Sequence, residues 1–408
     1  MKKQFDVCVI GGGPAGMMAA GTAAEMGKSV CLIDKNKMLG RKLRITGKGR
    51  CNITNSADIT EFFDFIPRNP KFLYSALYGF TGADAVDFLE KRGVKCKTER
   101  GGRVFPVSDS AHDVAEAFSA YVRENGCIVL CDRVLDILTD DENNIAGVKC
   151  GKENIKCKSV VIATGGMSYP LTGSTGDGYA LAEKFGHSII EPKAALVPME
   201  SKDTICKELQ GLTLKNVSVT MTDENGKELG IEFGEMLFAH FGLTGPVILS
   251  LSSSVPKMGK WTIAIDLKPA LSEEQLDARI LRDFAKYANK QLINALSELL
   301  PKKMIPAVIE KAGVDGRKAV HDITKTERLA LLNTLKRFEI ECFALRPIEE
   351  AIITSGGVCV REVNPSTMES KKQKGLFFAG EVLDVDAYTG GFNLQIAYAT
   401  GRLAGENA

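Results

Sequence analysis

Residues 5–34 read FDVCVIGGGPAGMMAAGTAAEMGKSVCLID, and this stretch decides the fold. Residues 5–10 are a short apolar run bounded by glycines, the pattern of a buried strand. Residues 14–26, rich in Ala, Met and Glu, predict a helix. Residues 29–34 predict a second buried strand closed by Asp34. Between the first strand and the helix lies Gly11-x-Gly13-x-x-Gly16, with Pro14 and Ala15 opening the helix. Gly11 permits a tight turn. Gly13 lets a pyrophosphate approach the backbone. Gly16 lets helix and strand pack closely. The helix N-terminus offers N–H groups and the positive end of its dipole to phosphate. Asp34 can accept hydrogen bonds from ribose hydroxyls. The glycine motif alone is weak evidence; strand, helix, strand and terminal acid in the right order make it a dinucleotide fingerprint. The acid favours an unphosphorylated ribose, hence FAD or NAD rather than NADP.

The totals set the frame. A chain of 408 residues predicts two or three domains. Apolar residues at 44% and charged residues at 25% are ordinary for a globular enzyme. The 52 basic and 51 acidic residues leave a net charge of +1, so the whole-chain footprint of a nucleic-acid binder is absent and no nucleic-acid partner is expected. A local basic patch stays open. Eleven cysteines at irregular spacing, with no C-x-x-C, argue for reduced thiols and a cytoplasmic setting rather than a disulfide framework or zinc ribbon. The four histidines show no metal spacing, so no metal is expected. The N-terminus superficially resembles a leader, with two lysines before apolar residues, but Asp6 and the glycine run interrupt it. No apolar run is long enough to span a membrane.

Two later stretches separate FAD from NAD. Residues 158–163, KSVVIA, predict a strand followed by Thr164-Gly165-Gly166, with Ala163 at its end. Residues 375–381, GLFFAGE, again run from strand to a glycine and an acid, Gly380 and Glu381. Gly390-Gly391-Phe392-Asn393-Leu394 and an Ala-rich helix follow. This order is the habit of two-dinucleotide-type flavoproteins, in which the last strand ends near the ribityl chain and the helix after it points at the flavin pyrimidine edge. No second G-x-G-x-x-G follows a strand. One dinucleotide, FAD, is therefore expected without a separate NAD(P)H domain, with NADH or NADPH as a transient electron donor.

The FAD motifs lie at both ends, so that domain is discontinuous: residues 1–191 and 346–408. The material between reads as a β-rich module over 192–270 and 337–345, with Asn225-Gly226 as a hairpin turn, and as short amphipathic helices over 271–336. A cap closing over the flavin is the natural role for the insert.

Several stretches resemble one family: GGGPAG (11–16), GRKLRITGKGRCNITN (40–55), GGRVFPVSDSA (101–111), ATGGMSYPLTGSTGDGYALA (163–182), FAHFGLTGP (238–246), ITSGGV (353–358), and residues 364–401. Together they resemble the BaiN-like or aminoacetone-oxidase-type family of bacterial FAD flavoproteins. The resemblance implies an α/β architecture: a Rossmann-like FAD-binding domain with an inserted β-barrel domain and a small helical domain. It implies one of two activities, reduction of a Δ4 or Δ6 double bond in a 3-oxo bile acid or oxidation of aminoacetone. The family commonly carries glycine where this chain has Lys48.

The run at 40–55 has five Lys or Arg and three Gly. It is no Walker loop, since no Ser or Thr follows Lys48. It follows the ribose acid, where a loop can fold back over FAD. Arg41 and Lys42 are expected to face ribose and pyrophosphate and neutralise phosphate charge. Gly47 and Gly49 would admit the flavin, with Arg50, Cys51 and Asn52 near the ring or ribityl. Lys35 and Val134 complete the expected cofactor contacts. A covalent or redox role for Cys51 lacks an adjacent partner.

For chemistry, reduced flavin gives hydride from N5, and an enone acceptor also needs a carbonyl polariser and a proton donor. Tyr169, Tyr388 and His240 are the candidate donors, and Arg346 a candidate anchor for a substrate carboxylate. Packing tyrosines, a structural histidine and a domain-junction arginine are the competing readings. The leading expectation is a reductase of a C=C bond in a small or steroid-like enone. An amine oxidase is the alternative. A flavoprotein acting on RNA, or a non-catalytic flavin binder, is the third.

Overall fold

The computed structural model describes residues 4–408; the two lysines weighed above as a leader lie outside the described residues. The chain divides into two compact units. One comprises the residues up to Lys193 together with Ile352–Ala408, and the other is Ala194–Ala351.

The first unit is built on a seven-stranded sheet. Its parallel centre runs Ile128–Cys131, Val30–Asp34, Gln4–Ile10, Asn154–Ile162. Leu376–Phe378 adds to Asn154–Ile162 in parallel, pairing Leu376 with Val160. Ile145–Cys150 and Val134–Thr139 continue the sheet antiparallel. The central strands are buried on both faces, which explains their unbroken apolar runs: Val7, Cys8 and Val9 are fully buried. On one face the helix Pro14–Glu25 packs against the final helix, Phe392–Asn407. Gly401 and Gly405 allow that approach, because an added Cβ would lie 2.3 Å from Ala15 O and 2.4 Å from Ala19 O. Residues 5–182 and 358–408 thus share one core.

The second unit contains a closed six-stranded antiparallel barrel in the order Met199–Ser201, Gly242–Thr244, Glu228–Ala239, Thr213–Asp223, Met258–Asp266, Phe338–Leu345. Gly226, at φ 79°, sits in the Asn225-Gly226 hairpin. The helices Glu273–Lys286, Leu292–Ala295, Ile305–Ala312 and Lys325–Lys336 follow. They do not form a core of their own. Leu276, Ile280, Val308 and Leu331 join Val219, Ile263 and Phe338 in one buried cluster, and Leu267 N donates to Leu335 O at 2.9 Å. Helices this short bury too little area to stand alone, so they lean on the barrel. Among the described residues no helix is long and apolar enough to cross a membrane.

Candidate functional site

A cleft of about 1070 Å³ opens at the C-terminal ends of the parallel strands in the first unit, the position at which open α/β sheets bind ligands. Its floor is the glycine loop. Gly11 takes φ 106°, and an added Cβ there would lie 2.4 Å from Ala163 O. At Gly16 the added atom would lie 1.8 Å from Gly11 O, which is impossible without moving the loop. At Gly13 it would meet nothing within 4 Å. The helix Pro14–Glu25 starts with Pro at its first turn, no side-chain cap on its N-terminal N–H groups and no acid within that turn. That end is left free for an anion. Thr164 lines the same cleft, and its Oγ1 is buried without a hydrogen-bond partner.

Asp34 is already busy. Its Oδ2 accepts from Gly12 N at 2.6 Å, and its Oδ1 accepts from Asn36 N and Nδ2 at 2.7 and 3.0 Å. A carboxylate has further lone pairs for a ribose, so the acid both braces the glycine loop and faces the cleft. A smaller cavity of about 420 Å³ shares Gly11, Asp34, Thr164 and Gly173 with the first. Val134 and Lys35 line this one rather than the larger cleft. Lys35 is held by Asp177 at 2.8 Å and Thr175 Oγ1 at 2.5 Å.

Ala163 and Gly165 line one wall of the cleft, and Glu381, Asn393 and Leu394 another. The glycines between them work through the backbone. Gly391, at φ 102°, precedes the final helix, and a Cβ there would lie 2.3 Å from Thr54 O. Gly380 lies against Ala15, and Gly166 against Thr354. Asn393 ties the turn down, accepting from Ala387 N at 2.9 Å and donating to Ala387 O at 2.6 Å. Gly390 O accepts from Asn55 Nδ2 at 3.1 Å. Phe392 points away into packing, edge-on to Phe62 and stacked on Phe65.

The basic run departs from expectation. Arg41 lines the cleft and donates to Asn36 Oδ1 at 2.7 Å. Lys42 lines it too, but its charge is spent on Glu381 at 2.7 Å, with Ser168 Oγ at 2.5 Å. Glu381 in turn accepts from Thr354 N at 2.8 Å. Arg44 pairs with Glu116 at 2.6 Å. Arg50 binds Glu99 and Asp109 and stacks 4.2 Å over Phe105. The hydrogen bonds from Arg50 hold Glu99 below the usual carboxylate range, and those from Lys97 and Arg50 do the same for Asp109. Four of the five cations thus do not serve as free phosphate neutralisers: three are paired, and Lys48 does not line the cleft. Gly47, Gly49, Arg50, Cys51 and Asn52 do not line it either, although Thr46 does. Cys51 is fully buried, and burial pushes its thiol pKa up, away from reactive thiolate. Asn52 Oδ1 is buried without a partner. Lys48 takes φ 59° between Gly47 and Gly49 at 61° and 83°. Glycine suits that left-handed position without steric cost.

None of the four catalytic candidates is among the residues that line the cleft. Tyr169, at φ 51°, and Tyr388 are both half-buried in the first unit, and neither lines the cleft. The Tyr169 carbonyl accepts from Thr172 N and Oγ1, and Tyr388 N donates to Phe65 O. His240 is exposed in the second unit, beside Phe241. Arg346 is committed to Glu200 and Glu350 within its own unit, which removes it as a free carboxylate anchor. Sequence reasoning missed Asn36, Thr172, Gly173, Ile352, Ile353 and Val385, all in the cleft wall. It also missed two buried acids beside Val385, Asp384 and Asp386, whose pKa values burial raises. Asp386 is hydrogen-bonded by Ser355 Oγ at 2.9 Å and paired with Arg68 at 3.0 Å. Their D-x-D spacing was the available signal.

Residues 5–407 match the model of the HI0933-like protein Rossmann domain. The chain belongs to this FAD-dependent Rossmann family. Within the family, a ribosomal RNA dihydrouridine synthase of Escherichia coli is 32% identical over 98% of this chain and 96% of its own length. A 3-dehydro-bile acid delta(4,6)-reductase of Clostridium scindens is 28% identical over 98% of both chains, at the same coverage of this one. A 3-ketosteroid delta1-dehydrogenase from Sterolibacterium denitrificans shares the fold, with a TM-score of 0.54 and 12% identity over 99% of each chain. Family and fold make the protein an FAD-dependent oxidoreductase. The cleft fits that cofactor: open room at Gly13, an uncapped helix end and the orphaned Thr164 hydroxyl.

Proposed function

We propose that this HI0933-like protein reduces a C=C bond conjugated to a carbonyl, and that its substrate is a uridine of ribosomal RNA. One observation carries the reading. The relatives that align with nearly the whole chain are named for two very different substrates that share one reacting unit. Dihydrouridine is uridine reduced at C5=C6, a bond conjugated to the C4 carbonyl. The bile-acid double bonds are conjugated to a ketone in the same sense. Hydride enters at the β-carbon and a proton at the α-carbon for uridine and for a Δ4 bond, and a Δ6 bond takes the hydride one vinylogous step farther out, at the δ-carbon. The higher identity to the RNA enzyme favours uridine.

FAD, when bound and reduced, supplies the hydride, with NADH or NADPH as the proposed reductant. The chain supplies the surroundings. Gly11, Gly13 and the first turn of the helix Pro14–Glu25 would hold the pyrophosphate, and Asp34 a ribose. Arg41, Ala163, Thr164 and Glu381 would line the path to the flavin, with Asn393 and Leu394 at its far end. The final helix offers the positive end of its dipole there, which favours negative charge on a reduced ring. Ile352, Ile353, Val385 and Ile396 give the cleft an apolar lining. Tyr169, Tyr388 and His240 stay as proposed proton donors.

The test is an anaerobic mixing of reduced holoprotein with ribosomal RNA lacking the modification. Flavin reoxidation together with dihydrouridine, detected by its two added hydrogens in digested RNA, is expected. Reoxidation by a 3-oxo-Δ4 steroid but not by RNA would replace uridine with the second reading, a steroid enone, which the bile-acid relative favours. Peroxide release with an amine and no enone reduction would sink both.

A further inference from the structure

The basic run belongs to a larger charged surface. Thr54–Asn55, Arg103–Pro106 and Cys96–Thr98 form a small antiparallel sheet. Lys97 pairs with Phe105, and Glu99 N donates to Arg103 O at 2.8 Å. The strand alternation therefore puts Lys95, Lys97, Glu99, Arg103 and Phe105 on one face. Arg50 lies on that face, over Phe105. The loop 47–50 is joined to the segment after the sheet where Ala111 N donates to Gly49 O at 2.7 Å.

Residues 47–50 and 95–109 hold six cations, Lys48, Arg50, Lys95, Lys97, Arg100 and Arg103, against two carboxylates, Glu99 and Asp109. Six against two leaves four positive charges here, on a chain whose total is +1. Glu99 and Asp109 are shared by Arg50 and Lys97 at the centre. Glu90 touches the edge through Cys96 N at 3.2 Å. Lys48, Lys95 and Arg100 are exposed at the rim. Neither Lys48 nor Lys95 has a carboxylate partner among the described residues. The surface also reaches the cofactor region: Asn55 Nδ2 donates both to Gly101 O at 3.0 Å and to Gly390 O at 3.1 Å, the turn before the final helix.

We propose that Lys48, Lys95, Arg100 and Arg103 bind backbone phosphates of RNA and so position the target base. The inference rests on the uridine reading above. A local excess of positive charge beside the cofactor turn suits a polyanion laid across the surface better than a single small carboxylate. The central Arg50 network holds the sheet, and the rim cations face outward. Position 48 adds a physical point: a lysine there bears a left-handed backbone strain that glycine would relieve, and it contributes a cation to the rim.

The experiment uses full-length holoprotein and a ribosomal RNA fragment as probe. Binding is measured by fluorescence anisotropy across a salt series, and dihydrouridine formation by mass spectrometry. Replacing all four with alanine is expected to raise the Kd and KM for RNA at least tenfold. The slope of log affinity against log salt should flatten by roughly 0.7 per lost single-strand phosphate contact. Reoxidation of the reduced flavin by a small quinone, which needs no phosphate contact, is expected to stay as in the wild type and so reports an intact fold. Lys95→Ala alone should lower the slope by about one contact, and Lys95→Arg should restore it. Unchanged Kd, KM and salt slope in the fourfold variant, with dihydrouridine still made, would overturn the surface while leaving the uridine reading standing. Absence of salt-dependent RNA binding by the wild type would overturn it as well. Binding without dihydrouridine would sink the uridine reading and keep the surface.

Discussion

The loops at 11–16 and 40–55 are both glycine-rich, both border the cleft, and obey different physics. In the first, Gly11 and Gly16 answer to backbone atoms on the next strand or a few residues away, Gly12 to the side chains of Leu39 and Asp34, and Gly13 to open space. Gly16 cannot carry a Cβ because Gly11 O stands in its place, 1.8 Å off. In the second, the side chains decide, and their partners are remote. Lys42 meets Glu381, Arg44 meets Glu116, and Arg50 meets Glu99 and Asp109. Spacing therefore explains the first loop and says little about the second.

The largest test of that contrast lies within the glycine loop. Gly16→Ala is expected to abolish FAD retention and most soluble folded protein, read from bound flavin after desalting and from circular dichroism. Gly13→Ala has room for its methyl in the apoprotein. It should keep the apoprotein fold and Tm and still weaken FAD binding at least tenfold, because the methyl occupies the pyrophosphate's approach. Equal damage from both would erase the distinction between packing and ligand glycines.

A smaller effect is expected at the remote charge pair. Glu381→Ala strands Lys42 in a partly buried site and removes the acceptor of Thr354 N. The apoprotein should lose about 2–3 kcal/mol in urea unfolding. Lys42→Met together with Glu381→Leu should recover part of that loss. A single Glu381→Ala variant as stable as the wild type would mean that Lys42 faces phosphate after all.

The mildest perturbation is pH. Glu99, Asp109 and Glu116 are held below their ordinary values, largest first by Arg50 for Glu99, by Lys97 for Asp109 and by Arg44 for Glu116. A carboxylate whose folded pKa is depressed adds stability above its unfolded pKa and loses it as pH falls through the folded value. Starting values of 4.5 for Glu and 3.8 for Asp place the loss below about pH 4.5. Hydrogen exchange in residues 41–55 should therefore accelerate there before it does in residues 11–16. Simultaneous acceleration would mean that the ion pairs do not anchor the second loop.

Other parts of the molecule repeat the division. The strand at 154–162, the turn at 163–166 and the final helix were legible because period, length and glycine placement are local. The barrel strands and the hairpin at Asn225-Gly226 were legible for the same reason. The sharing of one core by the helical segment and the barrel was not, because Leu276 and Leu331 show their apolar faces in sequence but not what those faces pack against. Arg346 looked available as an anchor until Glu200, 146 positions away, came to lie at 2.8 Å. Ile352, Ile353 and Val385 show no site chemistry in sequence and enter the cleft only through the return of the chain.

The sequence by itself determined a single dinucleotide cradle, its FAD preference and the interruption of that domain by a β-rich insert, since these depend on steric rules acting over a few residues. The tertiary structure decided which charges remain to meet a substrate. A salt bridge needs its charged atoms within about 4 Å, and residues that close are set by the packed sheet rather than by their order along the chain. Hence Lys42 is spent on Glu381, while Lys48 is left at the rim.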